Sequence, residues 1–230
     1  MANAIKRCWI CGGVANSSEH MIKASDLKTM FPDASNQKPF YKHPPEAPNT
    51  AVPGIKSGLI KYSKTICSNC NNARTQPHDR AWEKLSQGLR STNFTLKKGK
   101  KLPLYEIFGE SAQIEMENVY RYLLKLFGCH CAEHQAPLPL TQIGCAILMN
   151  QHHPNITISF FAVPPRTNEC VAAIGDLKAI RDSNGRVVCA AYWFGIESFG
   201  VIIQYSESEH PAIYKHGWKP HDTCLSMKLN

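Results

Sequence analysis

The pattern of apolar positions is clearest beyond Lys101, where it changes from helical to strand-like spacing. Its first part predicts one long helix ending at Gly128, because apolar residues recur every three to four positions up to this stop signal; they are Ile114, Met116, Val119, Leu123, Leu126 and Phe127. Later runs rich in β-branched and aromatic residues predict strands at 143–149, 156–163, 187–194 and 199–205. Asp182-Ser183-Asn184-Gly185 separates two apolar runs and predicts a hairpin turn, since Asn-Gly supplies positive φ angles. This part is therefore expected to be an α+β domain with a mostly antiparallel sheet.

The pattern is less regular before Lys101. Residues 31–58 carry six prolines, which predict a long irregular segment with one short strand near Phe40 and Tyr41. Pro77 predicts the beginning of a helix, because proline is favoured in the first helical turn. The residues expected near its cap are Thr75 or Gln76, and those on its inner face are Trp82 and Leu85.

The net charge changes from positive to negative at the same point, near Lys101. Residues 1–101 contain 17 Lys and Arg against 6 Asp and Glu, whereas residues 102–230 contain 9 against 12. The lysine-rich run 97–101 before Pro103 is typical of a domain edge, so we expect domains at 1–95 and 96–230. The basic first half favours a polyanionic partner such as nucleic acid, although a lysine-rich soluble surface has the same composition.

The composition also excludes some classes of protein. No stretch reaches the roughly 18–20 apolar residues of a membrane span, so no membrane partner is expected. The first residues lack the apolar core of a secretory signal, and we expect a cytoplasmic protein. Because cytoplasmic thiols stay reduced, the ten cysteines favour metal ligation over disulfides where they occur in close pairs.

Two cysteine pairs have the spacing of zinc knuckles. Cys8 and Cys11 form the first pair, and Cys67 and Cys70 form the second. Two such pairs complete a tetrahedral zinc site, which here would close a long loop. The remaining cysteines and histidines are better explained as core cysteines and surface histidines; they include Cys129, His130, Cys131, His134, Cys145, His152, His153, Cys170, Cys189 and Cys224.

Polar residues inside and directly after this loop carry candidate chemistry. Ser17-Ser18-Glu19-His20 places an acid beside an imidazole, and Asn71-Asn72-Ala73-Arg74 follows the second knuckle. This order of Cys-x2-Cys, acid-His and Cys-x2-Cys-Asn-x2-Arg resembles the zinc-containing HNH endonucleases of the ββα-metal class. The resemblance covers about residues 5–90, the N-terminal zinc-stapled module of the expected fold.

The resemblance implies a role for each matching position. His20 corresponds to the general base that takes a proton from the attacking water, and Glu19 to the carboxylate ligand of a catalytic cation, Mg²⁺ or Mn²⁺. Asn71 corresponds to the position that completes the protein ligands of this cation, against an alternative role in local capping. Arg74 falls where the family commonly has a basic residue, which would suit a phosphate contact.

Two positions leave alternatives open. The central asparagine that orients the base in this family is replaced by Lys61, so a backbone carbonyl, Ser63 or Thr65 would have to orient His20. His78 lies seven residues after Asn71, two helical turns on, and is a cation ligand, a phosphate contact or a surface residue.

The expected function is hydrolysis of phosphodiester bonds in DNA by an HNH-type endonuclease, with RNA and a homodimer not excluded. Candidate phosphate contacts are Lys23, Lys28, Lys56, Lys61, Arg74 and Arg80. The alternative is a non-catalytic, zinc-dependent nucleic-acid-binding protein, which the missing central asparagine favours. The second domain could select the target, mediate dimerisation or bind a regulator.

Overall fold

The structure is a computed structural model that describes residues 6–44, 46–91, 96–163, 172–207 and 217–230. Its helices are α1 (Ala24–Met30), α2 (Gln76–Arg90), α3 (Leu104–Phe108), α4 (Ala112–Glu133) and α5 (Leu140–Leu148), with a π-helical turn at Asn69–Arg74. Its strands are β1 (Phe40–Lys42), β2 (Thr50–Val52), β3 (Ile156–Ala162), β4 (Ala172–Ile174), β5 (Lys178–Arg181), β6 (Val187–Ile196) and β7 (Phe199–Ser206). No helix among these residues is both long enough and apolar enough to cross a membrane.

The larger sheet is antiparallel, as predicted. Its strands lie in the order β3-β7-β6-β4, and β5 pairs with another part of β6. The predicted strands at 156–163, 187–194 and 199–205 correspond to β3, β6 and β7, and the short strand near Phe40 is β1. Strands β5, β6 and β7 follow one another through hairpins, without a helix between them.

The predicted hairpin turn joins β5 to β6. The Asp182 carboxylate accepts hydrogen bonds from the backbone N–H groups of Asn184 and Arg186, both at 2.9 Å. Gly185 has a φ of 78°, whereas Asn184 keeps a negative φ. The turn therefore needs the left-handed conformation only at its glycine, with aspartate supplying the remaining closure.

The strand predicted at 143–149 is wrong, because this segment forms helix α5. Its buried residues Ile143, Ala146 and Ile147 recur at helical spacing. A short apolar run does not by itself distinguish a buried helix from a strand. Gly144 lets α5 approach the first zinc-type knuckle, since a Cβ there would lie 2.8 Å from the carbonyl oxygen of Ile10.

The predicted helix end at Gly128 is also wrong. Helix α4 passes through Gly128 and ends at Glu133. The glycine accommodates a ring instead of stopping the helix, because a Cβ there would lie 2.3 Å from Cη2 of Trp9. Ile114, which contributed to the predicted helical pattern, is 67% exposed.

A single hydrophobic core runs through the described parts of both halves. Trp82 of α2 stacks on Tyr122 of α4 with ring centroids 5.1 Å apart, and it meets Phe194 of β6 at 5.4 Å. The boundary predicted between residues 95 and 96 adjoins 92–95, which lie outside the described residues. Elements on either side of this boundary nevertheless pack against one another.

Candidate metal centre and adjoining pocket

The four paired cysteines converge on one point. The ligand atoms of Cys8, Cys11, Cys67 and Cys70 all lie within 4.8 Å of one another, and the Sγ atoms of Cys11 and Cys67 are 3.7 Å apart. Sulfurs around a tetrahedral zinc ion, with bonds near 2.3 Å, lie about 3.8 Å apart. The cluster could therefore hold a metal ion such as zinc.

Backbone hydrogen bonds shape the first knuckle for this purpose. The Cys8 N–H donates to the carbonyl of Gly13 at 2.7 Å, and the Gly12 N–H donates to the carbonyl of Cys8 at 2.8 Å. Gly12 has a φ of 74°, which allows the tight return of the chain. The Gly13 N–H lowers the pKa of Cys11 to about 7, so this thiol is readily converted to the thiolate that ligates metals.

Trp9 joins this cluster to the second half of the chain. It lies between Cys8 and Cys11 in sequence, and its indole Nε1 donates to Sγ of Cys129 on α4 at 3.4 Å. Its ring packs against Gly128 on the same helix. The position of the first knuckle is therefore tied to helix α4.

The segment 17–21 pairs with 60–66 and thereby positions the acid and histidine. The Ser17 N–H donates to the carbonyl of Ile66, the Tyr62 N–H to that of Glu19, and the Met21 N–H to that of Ile60. His20 lies opposite Lys61 in this antiparallel pairing. The pairing brings Glu19 and His20 beside the π-helical turn that follows the second knuckle.

These segments line a pocket of about 450 Å³. Its lining residues are Ser17, Ser18, Glu19, His20, Lys23, Asn71, Asn72, Gln76, Asp79, Arg80 and Glu83. All of them are polar, so the pocket is suited to a charged or strongly hydrated ligand. The structure thus brings together Glu19, His20 and Asn71.

The ring of His20 is held by a backbone carbonyl. Its Nε2 lies 2.9 Å from the carbonyl oxygen of Ile55. A carbonyl can only accept, so Nε2 carries the hydrogen and Nδ1 of the neutral ring keeps its lone pair. Burial lowers the pKa of His20, against a smaller opposing effect of the Ile55 carbonyl, so the ring is neutral near pH 7. Of the three groups expected to orient His20, namely a backbone carbonyl, Ser63 or Thr65, it is the carbonyl of Ile55 that contacts the ring.

Asn71 presents an amide oxygen that no described residue contacts by a hydrogen bond. Its Nδ2 donates to Oγ of Ser17 at 3.0 Å and to the carbonyl of Ser18 at 3.2 Å. The second contact fixes the amide orientation, because a carbonyl must face the amide nitrogen. Oδ1 is buried and has no hydrogen-bond partner among the described residues. A buried acceptor in this state is suited to a ligand that supplies positive charge.

Glu19 is buried and paired with a lysine from the other half of the chain. Its Oε2 lies 2.9 Å from Nζ of Lys125 on α4, and its Oε1 accepts a hydrogen bond from the His20 N–H at 3.2 Å. Lys125 also donates to both carboxylate oxygens of Asp79, at 2.8 and 2.9 Å. Burial alone would lower the pKa of Lys125, but the attraction of Glu19 and Asp79 outweighs it and raises this pKa.

Asp79 of α2 lines the pocket, as do Gln76, Arg80 and Glu83, whereas His78 does not. His78 is buried, and its Nδ1 lies 3.0 Å from Oδ1 of Asn118 on α4. The expectation for His78 assumed α-helical spacing from Asn71, but the intervening turn is π-helical. A π-turn contains one more residue than an α-turn, so the equivalent position moves from the seventh residue to the eighth.

The candidate phosphate contacts differ in their positions. Arg80 and Lys23 line the pocket, and Lys23 also forms an ion pair with Asp79 at 2.8 Å. Lys61 is half-buried and pairs with His20 across the two segments. Arg74 is exposed outside the lining of the pocket, as are Lys28 and Lys56.

The chain matches no protein-family model, no characterised protein and no solved structure. Its function is therefore inferred from the pocket and the cysteine cluster.

The other cysteines and histidines form no second metal cluster within the described ranges. Cys129, Cys131, Cys189 and Cys224 are buried as expected for core cysteines, and Cys170 lies outside the described residues. Three expectations are wrong, because Cys145 is exposed whereas His130 and His153 are buried. The ring of His130 is stacked on Tyr192 with centroids 4.2 Å apart, and burial lowers its pKa to about 4.

Sequence reasoning missed both Asp79 and Lys125. The sequence places Asp79 in the first turn of α2, but the π-helical turn that directs it to the pocket could not be predicted from the spacing. Lys125 did leave a signal, since it is the one lysine within the apolar run 119–127 of the predicted helix. A lysine surrounded by core positions needs a buried acid as its partner.

Proposed function

We propose that the protein is an HNH-type endonuclease that hydrolyses phosphodiester bonds in DNA with the help of one divalent cation. The observation that carries this proposal is the pocket itself. It combines a neutral histidine whose Nδ1 keeps its lone pair, a carboxylate and an amide oxygen that has no partner among the described residues, beside a four-cysteine cluster. The order of these groups along the chain is that of the resembling family.

His20 would act as the general base. The Ile55 carbonyl fixes its ring, so Nδ1 is the nitrogen that takes a proton from water in the pocket. The lowered pKa keeps the ring unprotonated near neutral pH, which this role requires. The adjacent Lys61 also disfavours protonation of the ring in the resting protein.

Glu19 and Asn71 would hold the divalent cation. Magnesium and manganese prefer oxygen ligands, and the two residues offer a carboxylate and the buried Oδ1 that has no partner among the described residues. When bound, such a cation stabilises the negative charge that develops on the phosphate and the leaving oxygen. His78 has no part in this proposal, because its ring is directed to Asn118.

The cysteine cluster would hold a structural zinc ion. A site with four thiolate ligands has no open position for water or substrate, as is usual for structural zinc. The ion would fix both knuckles, the first of which carries Trp9 and the second of which leads into Asn71. Zinc would therefore maintain the pocket without contacting the substrate.

The basic first half supports DNA as the substrate. Arg80 and Lys23 lie in the pocket wall, and Lys61 flanks His20. Contacts of this kind to phosphates position the nucleic acid without reading its sequence.

Plasmid cleavage tests the proposal. Zinc-loaded wild type, His20→Ala and the control His43→Ala, which removes an exposed histidine outside the pocket lining, are compared in Mg²⁺, Mn²⁺ and no added metal. We expect metal-dependent cleavage by wild type and the control, and at least a 100-fold loss for His20→Ala, in line with the roughly 10²–10⁴-fold contribution of a general base. Duplex binding, measured by gel shift, should be unchanged in all three proteins.

Two results would contradict this function. Equal cleavage by His20→Ala and wild type would remove His20 as the base. Binding without cleavage in either metal would favour a non-catalytic nucleic-acid-binding protein, and cleavage of RNA alone would correct the substrate.

A further inference from the structure

The ammonium group of Lys125 is surrounded by oxygen atoms. Its Nζ lies 2.9 Å from Oε2 of Glu19, 2.8 and 2.9 Å from the two oxygens of Asp79, and 3.2 Å from Oγ1 of Thr75. The lysine side chain is completely buried. Two carboxylates and a hydroxyl are also the ligands that a hard metal cation prefers. We call these four oxygen atoms the oxygen cage.

The carboxylate of Asp79 is largely used by lysines. Lys23 and Lys125 both donate to its Oδ1, and Lys125 also donates to its Oδ2. A carboxylate has about four lone-pair positions, and these three contacts use most of them. Among the described residues, the Glu19 carboxylate accepts only from Lys125 and from the His20 N–H. Glu19 is therefore the carboxylate that can still serve the pocket.

The charges of this group balance. Glu19 and Asp79 contribute two negative charges, and Lys23 and Lys125 contribute two positive charges. Glu83 lies further out, 3.6 Å from Lys23. Two carboxylates held at one buried point require a cation between them, and in this protein the cation is a side chain.

We propose that Lys125 takes the place of a metal ion in the oxygen cage and thereby positions the Glu19 carboxylate for the pocket. The role given to Glu19 rests on the proposed function, whereas the cage is defined by its own contacts. Lys125 is a positioning residue, because it is buried and is not part of the pocket lining. The pocket consequently depends on a residue from the second half of the chain.

This proposal has a direct consequence for metal binding. If the ammonium is removed, the cage keeps two carboxylates and a hydroxyl but loses its cation. A divalent cation should then enter it, in addition to the one proposed for the pocket. Glu19 would be drawn toward the cage, so cleavage should fall although more metal is bound. Partners that orient metal ligands typically change affinity or activity by about 10–100-fold when they are replaced.

Manganese binding to Lys125→Ala tests the proposal. Zinc-loaded proteins are titrated with Mn²⁺, and bound ions per chain are counted by electron paramagnetic resonance. The matched control is Arg121→Ala, which removes another buried basic residue of α4, one whose partners Glu117 and Asn150 are not part of the pocket lining. We expect one Mn²⁺ for wild type and the control, and two for Lys125→Ala with at least a 10-fold slower cleavage. Lys125→Arg, which keeps the positive charge, should bind one.

The outcomes separate this proposal from the proposed function. A folded Lys125→Ala protein that binds one Mn²⁺ with unchanged affinity would overturn the cage, as would two Mn²⁺ ions in wild type. A wild type that binds no Mn²⁺ and cleaves nothing would refute the nuclease, while a single new ion in Lys125→Ala would still support the cage. If the alanine variant folds only when Mn²⁺ is present, the metal has replaced the ammonium; if Mn²⁺ does not restore its folding, the cage is refuted.

Discussion

Replacement of Gly128 by alanine should destabilise the protein, although glycine-to-alanine changes inside helices usually stabilise. Gly128 lies within α4, where alanine is favoured by about 1 kcal/mol. An added Cβ would lie 2.3, 2.4 and 2.7 Å from three ring atoms of Trp9. Overpacking of this kind costs about 1–3 kcal/mol, and a displaced ring would also lose its hydrogen bond to Cys129. Trp9 has little freedom to yield, because its neighbours Cys8 and Cys11 belong to the metal cluster.

The two effects oppose each other, and the steric one is larger. We expect the free energy of unfolding to fall by about 1–3 kcal/mol, because the gain of about 1 kcal/mol in helix propensity offsets the lost hydrogen bond of about 1 kcal/mol and leaves the overpacking cost. In a Trp9→Leu background the ring is absent, so the same glycine replacement should instead stabilise by up to about 1 kcal/mol. This reversal of sign separates contact with Trp9 from any intrinsic effect on the helix.

Urea denaturation of the zinc-loaded proteins measures both changes. The four proteins are wild type, Gly128→Ala, Trp9→Leu and the double variant, and unchanged m-values would show that the unfolded states are comparable. A Gly128→Ala protein that is as stable as wild type would refute the packing of Trp9 on α4. Equal effects of the replacement in both backgrounds would refute it as well.

Two further predictions concern the cysteine cluster and the buried histidines. Cys70→Ser should abolish the binding of one zinc ion per chain and lower the free energy of unfolding by about 4 kcal/mol. This is the loss expected when a cross-link between Cys11 and Cys67, which are 56 residues apart, is removed. Metal analysis and urea denaturation check both effects, and the control Cys145→Ser, which alters an exposed thiol, should change neither the zinc content nor the stability. Stability should also decrease as the pH falls from 6.5 toward 4, because burial lowers the pKa values of His130 and His153 to about 4, so the unfolded chain binds protons that the folded chain does not. Each histidine should add about 1.4 kcal/mol per pH unit to the slope of the free energy of unfolding against pH in that window. Urea denaturation between pH 4 and pH 8 measures this slope. A His130→Gln protein with the same slope as wild type would contradict the contribution of His130.

Local patterns predicted the features that depend on short stretches of chain. The two cysteine pairs, the short strand at Phe40, the helix beginning near Pro77 and the hairpin at Asp182 all follow from residues within a few positions of one another. The antiparallel sheet followed in the same way, because β3, β6 and β7 each show a strand-like composition. The convergence of Glu19, His20 and Asn71 required the family resemblance as well.

The features that the sequence did not reveal depend on contacts between distant segments. Gly128 resembles a helix end, and only the ring of Trp9, more than a hundred residues earlier, explains why it is glycine. The run at 143–149 is compatible with a strand or a helix, and burial against the first knuckle selects the helix. Lys125 acquires its role from two carboxylates that lie far from it in sequence.

The π-helical turn at Asn69–Arg74 behaves like a frameshift in the register of side chains. Every residue of α2 is displaced by one position relative to a continuous α-helix, which is a rotation of about 100°. Two chains with the same sequence spacing but with different lengths of this turn would place different side chains at the pocket. One would place His78 there, and the other would place Asp79. For such a site, the length of a single helical turn carries as much information as the identity of the residues that it displays.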